Sequence, residues 1–380
     1  MNRILAVFVS IVMLVSGLFF GTGFESTDPG DNDQVKNVIL FIGDGMGENH
    51  LKLTKQKLGI ELTMETMPYR GQSKTRSMTG PVTDSAAGAT ALSCGVRTEN
   101  GYISTYWLDP YQSYSVPTNI TEIANAHGLR TGVVTTDSVT GATPACFSSH
   151  TNSRKNREEI VNQQMRSFVD IIWGNSDEHF DKATAQANGF TVVESEDEMN
   201  ALENGSKSFA QFDGETWNSA SGNDDPTLSK MTEKAISVLD NDNGFFLMVE
   251  GAHIDKHSHR NNADNMVLAL QEFDKAISKA LDFAKHDGNT LIVVTADHET
   301  GGLKEKDGTY VYTRTQHSGK NVPLFVYGSD SFIVNGDQIR NLMIPRIIAS
   351  SLGFDNSEFT NALGMRPRTA AEEKRYALAA

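Results

Sequence analysis

The sequence predicts an α/β fold with a large central, mostly parallel sheet flanked by helices. Three apolar, β-branched-rich runs carry that reading: Asn37-Val-Ile-Leu-Phe-Ile-Gly-Asp44, Gly244-Phe-Phe-Leu-Met-Val-Glu250 and Thr290-Leu-Ile-Val-Val-Thr-Ala-Asp297-His298. Runs of this length and composition read as strands buried on both faces. Each stops on an acid, and the carboxyl ends of such strands line the crevice where open α/β sheets bind ligands. Helical periodicity between the runs supplies the flanking layers, and 380 residues are enough for one large core. Carboxylates gathered at one place repel, so such a cluster is tolerated chiefly around cations or with shifted pKa values. A metal site is therefore expected on charge alone.

Composition narrows the partners. A net charge of −15 argues against a nucleic-acid backbone as the main partner and against docking on an anionic membrane. Cys94 and Cys146 are the only cysteines, so a disulfide framework is excluded, and two separate packed thiols are favoured over a single bridge. At the start, Arg3 precedes an apolar stretch from Ile4 to Phe20, broken only by Ser10, Ser16 and Gly17, and a polar segment follows. Residues 1–25 are expected to be an export signal, cleaved rather than kept as an anchor, because the run is short for a membrane span. Residues 26–360 then form one domain, and 361–380 a polar tail without a motif.

The elements follow in order. After the first strand, Asp84-Ser85-Ala-Ala-Gly-Ala-Thr-Ala91 opens a helix, and Thr131-Gly-Val-Val-Thr-Thr136 reads as a strand. The stretch from Gly174 to Asp225 is polar with weak periodicity and is expected to be a peripheral excursion. Asp225-Pro226 is expected to start a helix, Asp as N-cap and Pro at the first helical position, with Leu228, Met231, Ala235, Ile236 and Leu239 on its apolar face. It leads into the strand ending at Glu250. A second helix, about Ala263 to His286, places Met266, Leu270, Phe273, Ile277 and Leu281 on one face and ends at Asp287-Gly288. The strands ending at Glu250 and Asp297 are then joined by a crossover and expected to be neighbours. Val322-Pro-Leu-Phe-Val-Tyr327 is a further strand whose proline places it at an edge or after a bend.

Two constellations carry chemistry. In Glu250-Gly-Ala-His-Ile-Asp255-Lys-His-Ser-His259, Asp255 and His259 are four apart, on one face of a helical turn, where a carboxylate and an imidazole can share zinc. His253, His257 and His259 leave the imidazole assignment open. Asp297-His298 at another strand end makes a second such group. Ser85 at a helix N-terminus offers a hydroxyl where free N–H groups favour phosphate or an alkoxide, although a plain capping serine is the commoner role. No histidine lies beside it in sequence and no Gly-x-Ser-x-Gly elbow is present, so its activation is expected to come from metal.

Together, Ile42-Gly-Asp44-Gly-Met-Gly47, Val82-Thr-Asp-Ser85-Ala-Ala, Ala142-Thr143-Pro-Ala, Ser153-Arg154, the Glu250-to-His259 segment, Thr295-Ala-Asp297-His298-Glu-Thr-Gly-Gly and Gln316-His317-Ser-Gly resemble the alkaline phosphatases, in that family's order. The resemblance implies an alkaline-phosphatase-like fold, hydrolysis of phosphate monoesters with release of inorganic phosphate, a phosphoserine intermediate on Ser85, two zinc ions and one magnesium ion. Asp255, His259 and His317 would be ligands of the first zinc, and Asp44, Asp297 and His298 of the second. Asp44 would also reach magnesium, with Thr143 and Glu250. Arg154 would hold the phosphate, oriented by Asp84, with Lys256 reaching it through water. A homodimer is also implied, and the export signal places the protein outside the cytoplasm, periplasmic or extracellular.

Two departures from the family pattern stand out. Residue 141, two before Thr143, is glycine where relatives usually carry Asp or His near magnesium, so weaker or more exchangeable magnesium is expected. The 18 residues between His298 and His317 leave room only for a short crown and an open, unselective site. A phosphodiesterase of the same superfamily would share the zinc ligands, but Thr143, Glu250 and Arg154 favour monoesters. A sulfatase would need a Cys/Ser-x-Pro-x-Arg context that Ser85 lacks. A non-catalytic metal- or phosphate-binding protein would not need the nucleophile.

Overall fold

The computed structural model describes residues 35–108, 113–219, 225–328 and 338–360. The expected export signal and polar tail lie outside them. The described residues belong to one unit, residues 34–380. None of their helices is long and apolar enough to cross a membrane.

Ten strands form the central sheet: β1 (Asn37–Ile42), β2 (Tyr69–Lys74), β3 (Arg130–Ser138), β4 (Ile171–Asn175), β5 (Thr191–Val193), β6 (Ser208–Phe212), β7 (Phe245–Glu250), β8 (Thr290–Thr295), β9 (Val322–Tyr327) and β10 (Gln338–Arg340). Their spatial order is β10-β2-β9-β8-β1-β7-β3-β4-β6-β5. Within this sheet only β9 runs against the rest, antiparallel to both β8 and β2. The mostly parallel sheet read from the apolar runs is what the chain forms. Alternate residues of β1 feed two cores. Ile39 and Phe41 pack with α4 (Leu228–Leu239) and α6 (Ala263–Asp287), while Val38, Leu40 and Ile42 pack towards α2 (Ser85–Cys94). On the first face Phe41 and Phe273 meet edge to face, with ring centroids 5.8 Å apart.

Several expectations are corrected. β7 and β8 are not neighbours, because β1 lies between them. That places Asp44 between the strands carrying Glu250 and Asp297, so the crossover through α6 spans a strand already in place. β9 is interior rather than an edge. Its proline sits at the end beyond the Phe325–Tyr327 segment that pairs with β8, so the missing N–H costs no hydrogen bond on that side. The polar excursion is peripheral, but it contributes β5 and β6 to the sheet, and Ser208–Phe212 is buried throughout. Strands of three and five residues are too short to show a clear period. The helix expected from Asp225 begins at Leu228 with Thr227 as N-cap. The Asp225 carboxylate instead accepts from the amides of Asp213 and Gly214, and the helix N-terminus is met from across the core by Glu272, which accepts from Ser229 N at 3.0 Å. Both cysteines are free and buried.

Candidate metal centre

Three strands end level with one another, and a fourth runs past them. Thr295 of β8, Glu250 of β7 and Ile42 of β1 share one register line, and Thr135 of β3 lies opposite Glu250. Asp297, Asp44 and Asp137 each follow that line by two residues, so parallel pairing alone carries four carboxylates to one rim of the sheet. Asp137 was missed in the sequence reading. Its signal is the same strand-then-acid pattern, one residue past the Thr131–Thr136 run.

Asp44, Asp297 and His298 form a buried floor whose ligating atoms lie within 4.8 Å of one another. His298 Nε2 is 3.4 Å from Asp44 Oδ1 and 3.3 Å from Asp297 Oδ2. Asp297 Oδ1 accepts from the amides of Gly45 (3.3 Å) and His298 (2.9 Å), which aims the carboxylate, while Asp297 Oδ2 and Asp44 Oδ1 have no hydrogen-bond partner among the described residues. Burial and the charges of Asp297, Asp255 and Glu250 push Asp44 far above the usual carboxylate range. Burial and the Asp255 charge bring Asp297 to about 7. Orphaned, mutually repelling oxygens beside an imidazole are what a divalent cation would relieve.

Asp255, His259 and His317 converge beside that floor. Asp255 and His259 ride one turn of α5 (His253–His259), and His317 stands on a short strand, His317–Ser318, paired with Glu299–Thr300. The ring nitrogens facing away are held by carbonyls: His259 Nδ1–H donates to Thr315 O, and His317 Nδ1–H to Thr83 O at 2.9 Å. That tautomer leaves both Nε2 lone pairs pointing at each other across 3.0 Å, with Asp255 Oδ2 3.2 Å from His259 Nε2. Two imidazole nitrogens and a carboxylate at such range are relieved by a shared cation or by a proton on His259, and the donor set fits zinc. Thr300, whose role the sequence reading did not foresee, orders both groups: its hydroxyl donates to Asp255 Oδ1 and lies 3.3 Å from His298 Nδ1. Of the three histidines left open, His259 alone reaches the cluster among the described residues. His253 sits 3.2 Å from Thr136 Oγ1 and stacks on Trp217, and His257 packs edge-on against Trp217.

Ser85 is the first residue of α2, and the cap is its neighbour: Asp84 Oδ1 accepts from Ala87 N at 3.0 Å. The serine hydroxyl is thereby free of capping duty. It lies 3.3 Å from His298 Nε2, so the histidine absent beside Ser85 in sequence is supplied by β8. The approach needs Gly88, where a Cβ would meet the Asp297 carbonyl oxygen at 2.9 Å. Arg154 Nη1 donates to Asp84 Oδ2 at 3.0 Å, and its fork is partly open to solvent. Further back, Thr143 at the start of a short helix, α3 (Ala142–Cys146), has a buried hydroxyl with no hydrogen bond of good geometry, although it lies beside Glu250. Glu250 accepts from Thr135 Oγ1. Burial and the Asp137 charge raise it to about 8. Lys256 is paired with Asp137, and Arg154 with Asp84. Between His298 and His317 the chain forms one small hairpin, Lys304–Lys306 with Thr309–Val311, consistent with a short crown.

A mostly parallel sheet that delivers two carboxylate–imidazole groups beside a serine at a helix N-terminus and a forked arginine is the architecture of a metal-dependent hydrolase. The alkaline phosphatase family model matches residues 35–173 and 175–316. Alkaline phosphatase 3 of Bacillus subtilis is 34% identical over 80% of this chain and 69% of its own, and the alkaline phosphatase of Escherichia coli K12 is 30% identical over 79% and 83%. The solved structure of alkaline phosphatase from the Antarctic bacterium TAB5 superposes with a TM-score of 0.75 at 33% identity, covering 85% of this chain and 99% of that one. The chain belongs to the alkaline phosphatase family and is a phosphate-monoester hydrolase.

Proposed function

We propose that Ser85 is the nucleophile of a two-step hydrolysis of phosphate monoesters. Asp255, His259 and His317 would hold one zinc ion, Asp44, Asp297 and His298 a second, and Asp44, Thr143 and Glu250 a magnesium ion. The observation that carries this reading is the pair of facing Nε2 lone pairs on His259 and His317, 3.0 Å apart, beside orphaned carboxylate oxygens and within reach of the Ser85 hydroxyl. When bound, such ions supply positive charge that lowers the pKa of hydroxyl groups and stabilises a departing oxygen.

The protein's own groups do the rest. Arg154, locked by Asp84, offers two N–H donors to the non-bridging phosphate oxygens and so fixes phosphorus in line with Ser85. Ser85 Oγ bonds to phosphorus as the ester oxygen leaves and takes a proton, giving the alcohol and phosphoserine. A water oxygen then bonds to phosphorus, Ser85 Oγ leaves with a proton, and inorganic phosphate departs. His298 Nε2 faces Asp44 and Asp297 as well as the serine, which favours a ligand's role over that of a general base. The small hairpin, all that the chain forms between His298 and His317 apart from the short pairing at Glu299–Thr300, supports broad access for the alcohol part. The apolar run after Arg3 supports export, and family membership a homodimer.

The test compares a chromogenic aryl phosphate with the matching diester at alkaline pH, after chelation and after zinc and magnesium are restored. Monoester turnover should return with metal and fall by at least about a thousand-fold in Ser85→Ala. Preferential diester turnover would move the chain to a neighbouring branch, and zinc binding without turnover would make it a binding protein.

A further inference from the structure

We propose that Asp137 supplies the carboxylate that residue 141 lacks, so that the magnesium site is completed from β3 and Gly141 is the vacancy that admits it. This rests on the reading that Asp44, Thr143 and Glu250 hold magnesium. A Cβ on residue 141 would lie 2.7 Å from Asp137 Oδ2, closer than side-chain carbons come to other atoms, and a tight 3.0 Å from Ser138 O. A side chain at 141 and the present position of Asp137 therefore exclude each other.

The rest of the geometry gives that carboxylate a purpose. Asp137 stands two residues beyond Thr135, the register partner of Glu250, and Thr135 joins the two: its hydroxyl donates to Glu250 and accepts from Asp137 N at 2.8 Å. The hydrogen bonds to Asp137 from Ser138 N (2.7 Å) and Lys256 Nζ both fall on Oδ1. Oδ2 is left turned to the space where a side chain on residue 141 would begin, without a hydrogen bond among the described residues. In the same corner Thr143 is 1% exposed, and its hydroxyl has no partner of good geometry among the described residues. Magnesium takes oxygen ligands, few of them carboxylates, and keeps several waters, so a carboxylate beside Glu250 and an idle hydroxyl suits it. A plain role exists for each residue taken singly: Gly141 is the N-cap of α3, and Asp137 the ion-pair partner of Lys256. Neither role explains why the two positions fit one another. On this reading Gly141 does not weaken magnesium binding; the carboxylate has moved from the N-cap of α3 back onto β3.

Magnesium binding to the zinc-loaded full-length protein, followed by calorimetry with zinc content and melting temperature measured alongside, tests this without recourse to turnover. Asp137→Asn should weaken magnesium by about 10-fold or more, in the range found when groups supporting a metal are removed. Gly141→Asp alone should fail to tighten it, whereas Asp137→Ser combined with Gly141→Asp should return the affinity to within a few-fold of wild type. If Asp137→Asn does not fold, rescue by the double variant decides: restored binding supports the proposal, and its absence overturns it. Unchanged affinity in Asp137→Asn alongside a loss in Glu250→Gln would overturn the role of Asp137 and leave the magnesium reading standing. Unchanged affinity in Glu250→Gln would overturn both.

Discussion

The floor of the site and its rim handle charge in opposite ways. At the floor, Asp44, Asp297 and His298 sit at strand ends with unpartnered oxygens, and burial drives both carboxylates towards protonation. At the rim the groups compensate one another. His259 lies 3.2 Å from Asp255 and is raised chiefly by that hydrogen bond, and Arg154 is tied to Asp84. Asp255 falls well below the usual range even though burial opposes it, because its bond to His259 and the neighbouring imidazoles outweigh desolvation. The difference teaches that the floor has no internal relief for its charge, whereas at the rim a proton on His259 and the Arg154–Asp84 pair supply part of that relief from within the protein.

The largest effect expected from this contrast is in Asp297→Asn. The amide oxygen can still accept from the amides of Gly45 and His298, so the backbone is held while a floor charge disappears. Turnover should drop by about a thousand-fold or more, yet the metal-free variant should melt several degrees higher than metal-free wild type, with about 1 kcal/mol moving a chain of this size by roughly 2 °C. A metal-free variant that melts lower would break the contrast.

That stability gap sharpens the comparison when followed with pH. Asp297 titrates near 7 in the folded chain, against roughly 3.9 in an unfolded one. Between those values the native state holds the extra proton, so wild type loses stability as pH rises, a loss the asparagine variant escapes. Below about pH 4 the carboxylate is protonated in both states and the gap should close. Buried histidines such as His50, lowered to about 4 mainly by burial, contribute equally to both proteins and cancel in the difference. A gap that stays constant from pH 4 to 7 would mean that Asp297 is not strained by its surroundings.

The smallest structural effect belongs to the rim. Arg154→Ala should raise KM for a monoester by about 10-fold or more through the lost fork. The melting temperature should barely move, because an ion pair this open to solvent is worth about 1 kcal/mol at most. A fall in melting temperature as large as that caused by chelation would erase the distinction between floor and rim.

Much of the site was legible because strand ends are local signals. An apolar run followed two residues later by an acid can be read without knowing what lies beside it, and Asp44 and Asp297 were found that way. Asp137 obeys the same rule, yet its importance depends on Gly141, four residues on, and on Lys256, which only the closed sheet brings to it. The choice of His259 over His253 and His257 turned on Trp217, a residue of the polar excursion that carries no periodic signal. The start of α4 likewise moved because Glu272, on another helix, meets its N-terminus.

The sequence by itself determined the fold class, the residues that end each buried strand and the serine at its helix N-terminus, because hydrophobic period and capping chemistry act over a few neighbouring residues. Tertiary structure alone decided that β1 lies between β7 and β8, that His298 comes to Ser85, and that a carboxylate on β3 fills the space at Gly141. Those outcomes are set by close packing and pairing between residues far apart in the chain, where distances of a few ångströms, invisible in any local pattern, choose the partner.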